Sequence, residues 1–295
     1  MATVSSKRAS TAATDNLTRE WQASIDLGFA PRAGKTRLVT SQHLGPLRVQ
    51  RPFYPEHADC CHVYLLHPPG GMVIGDQLQI NATLEGQSAV LITTPSAGKI
   101  YGAGKSKQTQ SQIIHFTVAA DACLEWLPQE TIVFNGARGR LQSRIHLEEG
   151  ALYAGWDIVR LGRSASGERF EQGECIQSLE LWQNGEPLFI ERNRIYAESP
   201  LPQAVWGLQG KNTFGTFILT VELDRNLIDE LVTGLEALES DSRNLWGISQ
   251  KNQLLIVRFL GDDVALCRHG FEYLWQRVRP HFNGKPAVKP RIWNT

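Results

Sequence analysis

Three features that define common classes of protein are lacking in this sequence. No apolar run approaches the roughly 20 residues that a membrane-spanning helix needs. The 30 lysines and arginines equal the 30 aspartates and glutamates in number, so no net charge attracts the chain to nucleic acid or to an anionic membrane. The five cysteines are odd in number and have no repeated spacing, which favours a reducing compartment, the cytoplasm, over a secreted disulfide framework.

The first 16 residues lack the apolar stretch of a secretory signal. Their Ser, Thr and Ala content, with Lys7 and Arg8, is typical of a flexible tail, and a transit peptide is the alternative. Residues 17–295 contain no fixed-period repeat and no Gly, Pro or Ser linker. We therefore expect 17–295 to form one domain, for which the hydrophobic residues, 42% of the chain, supply a sizeable core.

Alternation of apolar and polar residues is the dominant pattern after the tail. Leu78, Ile80, Ala82 and Leu84 alternate with polar residues, which predicts a half-buried strand. Further strands are predicted over residues 62–66, 89–94, 113–118, 131–134, 144–147, 151–160, 175–182, 216–223 and 253–260. Asn184 and Gly185 tolerate positive φ, so they predict a tight hairpin from 175–182 to a strand over 187–192.

Helical periodicity occurs in two segments only. Residues 226–238 carry Leu227, Leu231 and Leu235 at four-residue spacing, and residues 262–281 follow a possible aspartate N-cap. Because most strands follow one another without helices, antiparallel pairing is favoured over βαβ units. The predicted fold is mostly β, with stacked antiparallel or mixed sheets and two α-helices toward the C-terminus.

Two glycine-rich segments imitate a phosphate-binding loop, and they support the main alternative function, a nucleotide-dependent enzyme. The motif needs a glycine five positions before the glycine that precedes its lysine. In GFAPRAGKT the first glycine, Gly28, is six positions before Gly34, and in GKIYGAGKS the required position holds Lys99. The segment after Ser106 also alternates like a strand, where the motif requires a helix. Turns between strands explain both segments.

Side chains that could bind a metal or act in catalysis are present without a defining pattern. Cys60, Cys61 and His62 are consecutive, so in a strand they cannot all face one ion. No C-x-x-C or H-E-x-x-H motif occurs, and the serines of GRSASG and TTPSAG lack the nucleophile-elbow motif. Sequence spacing alone does not bring any two of the carboxylates Glu56, Asp76, Glu125 and Glu130 together as an acid-base pair.

The segment 45–76, GPLRVQRPFYPEHADCCHVYLLHPPGGMVIGD, is more distinctive. It joins an arginine, aromatic and proline cluster to an apolar strand and a glycine-rich bend, and it resembles the signature of the urease accessory protein D family, also called H. Further blocks that resemble the family are residues 71–104 with TTPSAGK, 124–137 with LEWLPQE, 155–170 with GWDIVRLGR, and LFIERNRI. Met72, Ile74 and Gly102 depart from the usual pattern, which puts partner contacts near Tyr101 in doubt.

This resemblance implies a non-enzymatic maturation factor with a helix-like stack of β-sheets. Members of the family dock on apo-urease and recruit the accessory F and G proteins, of which G is the GTPase. Nickel then passes through the scaffold to the urease active site. The resemblance thus implies transient Ni²⁺ and no tightly bound cofactor. A protein that only bridges its partners is a further alternative.

Transfer of a metal ion requires weak binding, which carboxylates, carbonyl groups and water provide better than thiolate and imidazole cages. Glu56, Asp76 and Glu130 lie in matching blocks beside turns, so they are the predicted lining of the nickel route, with His62 as a fourth candidate. The predicted partner contacts are Arg51, Phe53, Tyr54 and Trp126, because arginine and large aromatic residues dominate interface energetics. Core packing is the alternative for Phe53 and Trp126.

Overall fold

The structure, a computed structural model, describes residues 21–56, 60–104, 106–163, 166–238 and 244–294, so the predicted tail lies outside it. These residues form seventeen strands, two α-helices and a 3-10 helix at Arg291–Asn294. The first strands are β1 Gln22–Arg32, β2 Lys35–Leu44, β3 Arg48–Val49, β4 Cys60–Leu66, β5 Gln77–Leu84, β6 Ala89–Thr93, β7 Gly98–Ile100, β8 Gln110–Val118 and β9 Cys123–Trp126. The remaining elements are β10 Thr131–Val133, β11 Arg138–Leu147, β12 Leu152–Leu161, β13 Glu174–Gln183, β14 Glu186–Tyr196, β15 Thr213–Thr220, α1 Arg225–Leu238, β16 Leu245–Lys251, β17 Leu254–Gly261 and α2 Val264–Asn283.

The strands form two stacked sheets. The seven-stranded sheet has the order β14-β13-β11-β8-β5-β1-β2. The ten-stranded sheet has the order β16-β17-β15-β12-β9-β6-β4-β3, with β10 and β7 attached beside β12. From β4 to β13 the chain passes back and forth between the two sheets and advances along each of them. This confirms the prediction of mixed sheets in a helix-like arrangement.

Strand direction in the middle of both sheets differs from the antiparallel pairing that the lack of intervening helices favoured. β5 is parallel to β1 and β8, and β11 is parallel to β8 and β13. β4, β6, β9 and β12 are likewise parallel neighbours. Parallel neighbours need a long crossover connection, and here each crossover contains a strand of the opposite sheet instead of a helix. Antiparallel pairing is confined to the flanks, as in β1–β2 and β13–β14.

Turn chemistry was predicted more successfully than strand direction. Asn184 and Gly185, with φ of 51° and 86°, connect β13 to β14 in the predicted hairpin. The segment GFAPRAGKT is also a hairpin, because it includes the end of β1, a turn at Ala33 and Gly34, and the start of β2. In the second glycine-rich segment, Gly98–Ile100 is strand β7 and the next element is strand β8. Neither segment leads into the helix that a phosphate-binding loop requires.

The apolar residues form two layers. The first lies between the sheets and contains the inward side chains of both, such as Phe116 and Ile145 of the seven-stranded sheet and Leu124 of the ten-stranded sheet. The second lies between the outer face of the ten-stranded sheet and the helices, where Trp156 and Trp275 are fully buried. In a strand of the ten-stranded sheet, the side chains on one face therefore pack between the sheets, and those on the other face pack against the helices.

Both predicted helices are present. Leu231 and Leu235 of α1 are buried, and α2 begins at the N-cap Asp263 and ends at Gly284, whose φ is 73°. The Asp263 carboxylate accepts hydrogen bonds from the backbone N–H of Ala265 at 2.8 Å and of Leu266 at 3.0 Å. Among the described residues, no helix is both long enough and apolar enough to cross a membrane.

Replacing Asp263 by Ala removes both of these hydrogen bonds. We expect Asp263→Ala to lower the free energy of unfolding by about 1 kcal/mol, measured by chemical denaturation. Asp263→Asn is the matched control, since asparagine is an equally good N-cap. Equal losses for the two variants would contradict a capping role.

Candidate functional site

The distinctive segment 45–76 packs its loop against its own strand. Phe53 and His62 exchange backbone hydrogen bonds of 3.2 and 2.9 Å, so the loop before Glu56 runs beside β4. The Phe53 ring lies 4.5 Å from the Tyr64 ring, centroid to centroid. This pairing positions Glu56 above the outer face of the ten-stranded sheet, on the same side as His62.

Glu56 and His62, two of the predicted nickel ligands, are in direct contact. The His62 Nε2 lies 2.7 Å from Glu56 Oε1, and both side chains are almost completely buried. Arg279 of α2 binds the same carboxylate through Nη1 and Nη2, each at 2.8 Å. Burial alone would raise the pKa of Glu56, but hydrogen bonds from His62 and Arg279 and the charge of Arg279 outweigh burial and lower this pKa to about 2.

Arg279 also binds a second buried carboxylate. Its Nη2 lies 2.8 Å from Glu125 Oε1, and Trp275 Nε1 donates to Glu125 Oε2 at 2.5 Å. Burial would lower the pKa of Arg279, but the two glutamates raise it, so this guanidinium stays charged. The C-terminal segment joins the network because Arg279 donates to the Pro286 carbonyl at 2.5 Å. Glu56, Arg279 and Glu125, the buried ion network, tie α2 to the loop before β4 and to β9.

Glu56, Cys60 and His62 place potential metal-binding atoms within 4.8 Å of one another. Burial, together with the charges of Glu125 and Glu56, raises the pKa of the Cys60 thiol, so it remains protonated. The Arg279 guanidinium, at 3.8 Å from Cys60 Sγ, already supplies a cation to this cluster. The geometry therefore gives Glu56 a charge-pairing role with Arg279 and makes His62 a hydrogen-bond partner of Glu56. The part of both residues in nickel transfer stays a prediction.

A cavity of about 90 Å³ lies on the other side of the same sheet, between the two sheets. It is large enough for several water molecules. Its outer end is formed by two surface turns, residues 67–71 and 94–99, and its deeper wall includes Gln112, Ser143 and Asp157. The TTPSAGK and HPPGG turns of the sequence motifs thus meet at one opening.

Asp157 is the carboxylate in the wall of this cavity, whose lining also includes Lys99 and His67. It projects inward from β12, and Ser143 Oγ lies 3.3 Å from its Oδ2. Burial raises the pKa of Asp157 to about 6, even though hydrogen bonds from Ser143 and Gln177 oppose the rise. At neutral pH this carboxylate is therefore ionised but poorly compensated, which is the state that attracts a cation.

Gly155 makes room for the aromatic side chain next to Asp157. A Cβ atom at Gly155 would lie 2.0 Å from the hydroxyl oxygen of Tyr153, so no other residue fits there without displacing the ring. Tyr153 is fully buried, and burial followed by the charge of Asp157 raises the pKa of its phenol, which stays neutral.

Asp76 and Glu130 lie near the opening of the cavity, and no direct contact joins them among the described residues. Asp76 accepts a hydrogen bond from the Val73 backbone N–H at 2.8 Å and is 5% exposed. The Glu130 carboxylate lies 3.5 Å from Arg268, and its backbone carbonyl accepts from Gly98 N–H at 2.9 Å. Both hold the turns around the opening, and their role as nickel ligands stays a prediction.

The predicted partner contacts occupy different environments. Arg51 is exposed, whereas Phe53 and Tyr54 are half-buried and Tyr54 donates to the Thr36 carbonyl at 2.8 Å. Trp126 is 2% exposed and its ring contacts Phe116 edge-on between the sheets. This environment favours core packing, the alternative reading of Trp126, and leaves Arg51 as the accessible member of the set.

Asp157 and Arg279 were not among the predicted site residues. Asp157 interrupts the inward positions of a mostly apolar strand, a signal that is visible in GWDIVRLG once the strand is assigned. Arg279 gives no comparable signal, because its partners Glu56 and Glu125 are 223 and 154 residues away in the sequence. Ion pairs between residues so far apart in the sequence can be identified only from the folded structure.

A helix-like stack of β-sheets is the architecture that the resemblance implied for a maturation factor. The family profile described as UreD urease accessory protein matches residues 22–294 of this chain. The chain therefore belongs to the UreD family of urease accessory proteins. This membership implies a role in urease maturation.

Relatives with this name share the whole length of the chain. The urease accessory protein UreD of Saccharophagus degradans is 54% identical over 278 residues, which cover 94% of both proteins. The UreD proteins of Klebsiella aerogenes and Methylobacillus flagellatus are 41% and 39% identical over 95% and 94% of this chain, and over 98% and 95% of their own lengths. The resemblance drawn from the motifs is thus confirmed.

Arg279→Met tests the buried ion network. The variant leaves Glu56 and Glu125 buried without their cation, and we expect it to lower the free energy of unfolding by roughly 3–5 kcal/mol at pH 7. Because the folded-state pKa of Glu56 is lowered from 4.5 to about 2, the wild-type stabilisation is present above pH 4.5 and is lost as the pH falls toward 2. Denaturation curves at pH 7 and pH 3 measure both effects.

The control adds Glu56→Gln and Glu125→Gln to Arg279→Met, which removes the unpaired charges. This triple variant should regain part of the lost stability. If Arg279→Met alone were as stable as wild type at pH 7, the network would not hold α2 in place.

Proposed function

We propose that this protein is a non-catalytic maturation factor that binds apo-urease and the accessory F and G proteins and assists nickel insertion into urease. Family membership supports the role in maturation. The observation that carries the nickel step is the cavity between the sheets, whose mostly apolar wall holds the carboxylate of Asp157 together with Ser143 and Gln112, with Lys99 in one of the outer turns. In this proposal Ni²⁺ is cargo that enters between the turns 67–71 and 94–99.

The ligand chemistry of the cavity suits transient binding. Asp157, Ser143 and Gln112 offer oxygen atoms, which hold Ni²⁺ less firmly than thiolates do. The five cysteines are buried, and burial raises the pKa of each thiol, to about 11 for Cys61 and about 12 for Cys123 and Cys175. For Cys60 and Cys267 the same burial raises the pKa well above its usual value. Protonated thiols are poor metal ligands, so these cysteines would not retain nickel during transfer.

The four predicted nickel ligands lie at different distances from the cavity, so the proposal gives them different roles. Asp76 and Glu130 lie beside the turns at the opening, where Asp76 accepts a hydrogen bond from the Val73 backbone and Glu130 is close to Arg268. Glu56 and His62 act through the buried ion network on the opposite face of the sheet. Arg51 is the proposed partner contact that solvent reaches, with Phe53 and Tyr54 holding its loop.

No structural observation favours the nucleotide-dependent enzyme, since both glycine-rich segments lie between strands. A protein that only bridges urease and its partners remains the second candidate. The two candidates differ in what the cavity does, because bridging requires surfaces alone. Altering the cavity without altering the surface therefore separates them.

Asp157→Asn removes the charge and keeps the shape of the side chain. We expect the variant to assemble with apo-urease and the F and G proteins, while urease activated with it at limiting nickel contains less nickel and has lower activity. Nickel per urease, measured by atomic emission after purification, is the readout. Asp26→Asn, on the exposed outer face of the seven-stranded sheet, is the matched control and should leave nickel unchanged.

The same variant should be more stable than wild type at neutral pH. The folded-state pKa of Asp157 is raised from 3.8 to about 6, so the ionised carboxylate costs stability that Asn does not cost, about 2–3 kcal/mol. This gain is complete above pH 6 and disappears as the pH falls toward 3.8. A stability gain together with undiminished nickel in urease would support bridging instead of nickel passage.

A further inference from the structure

The outer face of the seven-stranded sheet is open to solvent, because both helices pack against the ten-stranded sheet. Its outward side chains are mostly exposed or half-buried, as the alternating burial of β5 and β11 shows. Seven strands about 4.8 Å apart and roughly 30 Å long give a face of about 800–1,000 Å². One partner contributes about 800 Å² to a protein interface of standard size. The open face is therefore large enough to dock a protein.

Arginine dominates one half of this face. The strands β11, β13 and β14 are neighbours, and their registers align four rows of outward side chains. The rows are Arg138, Glu174 and Tyr196; Arg140, Ile176 and Arg194; Gln142, Ser178 and Arg192; and Arg144, Glu180 and Ile190. These rows, the arginine face, hold five arginines and two glutamates, whereas the whole chain has no net charge.

Two buried glutamates fix three of these arginines. Glu180 accepts hydrogen bonds from Arg144 Nε and from Arg192 Nη2, each at 3.0 Å. Burial would raise the pKa of Glu180, but hydrogen bonds from Arg192, Arg144 and Trp182 outweigh burial and lower this pKa to about 2. Arg138 Nη2 lies 3.0 Å from Glu174 Oε1. The side chains of Arg144 and Arg192 remain 49% and 59% exposed, so these ordered cations still face solvent.

Arg140 and Arg194 form no ion pair within the part of the chain that the structure describes. Both side chains are exposed, and they flank Ile176 in one row. Because neighbouring strands are about 4.8 Å apart, the Cα atoms of the two arginines lie roughly 10 Å from each other. A carboxylate above Ile176 is within reach of both guanidinium groups. This row is the point of the arginine face with uncompensated positive charge.

The composition of the arginine face selects an acidic protein surface over other anionic partners. Guanidinium groups bind carboxylates through two parallel hydrogen bonds, a geometry that an ammonium group lacks, and these rows contain no lysine. Phosphates accept the same geometry, but Glu174 and Glu180 lie within the rows and would repel a continuous phosphate backbone or an anionic membrane. Residues 1–20 carry three basic and two acidic side chains, so charge does not favour them as the occupant.

We propose that the arginine face binds an acidic surface of a protein partner in urease maturation, with a carboxylate of that partner held between Arg140 and Arg194. The proposal rests on the proposed function for the existence of such partners. It adds where one of them docks and by which chemistry. Nothing in it depends on the cavity between the sheets.

Arg140→Glu and Arg194→Glu, made in the full-length chain, reverse the two unpaired charges. Binding of purified apo-urease and of purified F protein to each variant is measured separately by biolayer interferometry at low and moderate salt. We expect each variant to weaken binding of the same partner about fivefold at low salt, and the double variant to weaken it further. Because salt screens exposed charges, these losses should shrink at moderate salt.

Lys251→Glu is the matched control, because it reverses an exposed charge at the end of β16, on the other sheet. It should bind both proteins within about twofold of wild type. Arg140→Gln and Arg194→Gln remove charge without adding repulsion, so each should lose less affinity than the corresponding Glu variant. Thermal unfolding of all these variants should match wild type, since the substituted side chains are exposed.

The possible outcomes separate this proposal from the proposed function. If wild type and both Glu variants bind the partners equally well, the arginine face is not a docking site while the maturation role stands. If wild type binds neither protein, the proposed function fails and this proposal fails with it. The proposal is also overturned if the Glu variants bind both proteins normally but lose binding to single-stranded RNA or to phosphatidylserine vesicles. A wild-type dimer that Arg194→Glu converts to a monomer in light scattering would identify a second copy as the occupant and overturn it too.

Discussion

The layer between the two sheets constrains the rest of the molecule. Because the chain alternates between sheets, each inward side chain must pack against a strand from another turn of the coil, and nearly all are apolar. Asp157 breaks this rule at a point where the layer contains a cavity. Ionising a carboxylate that burial shields from water costs folding energy, and strongly shifted carboxylates of this kind cluster at functional sites.

The outer face of the ten-stranded sheet also carries buried charges, but there they are paired. There the two buried carboxylates of Glu56 and Glu125 share one cation, Arg279, which is itself fully buried. The network connects a loop near the start of the chain, a central strand and the last long helix. One sheet thus separates the buried ion network, which ties α2 to the loop before β4 and to β9, from Asp157, which has no ion pair among the described residues.

Sequence patterns predicted the parts of this structure that depend on local chemistry. The Asn184-Gly185 turn, the α1 leucines at four-residue spacing and the alternation of Leu78 to Leu84 each act within a few residues. Strand direction could not be predicted in this way, because it depends on which sheet each strand joins. The same limit applies to Asp157, whose neighbours Ser143 and Gln177 come from two strands of the opposite sheet. Family motifs indicated urease maturation, and the fold was needed to find the cavity that the proposed nickel route uses.

The central claim is that nickel crosses the space between the sheets. The most direct test is to fill that space and measure nickel per urease after maturation at limiting nickel. Ser143→Leu places an apolar side chain in the cavity beside Asp157 and leaves the surface and the buried ion network unchanged. If the claim is correct, this variant still assembles with apo-urease and the accessory proteins but yields urease depleted of nickel. Fully metallated urease from a chain with a filled cavity would contradict it.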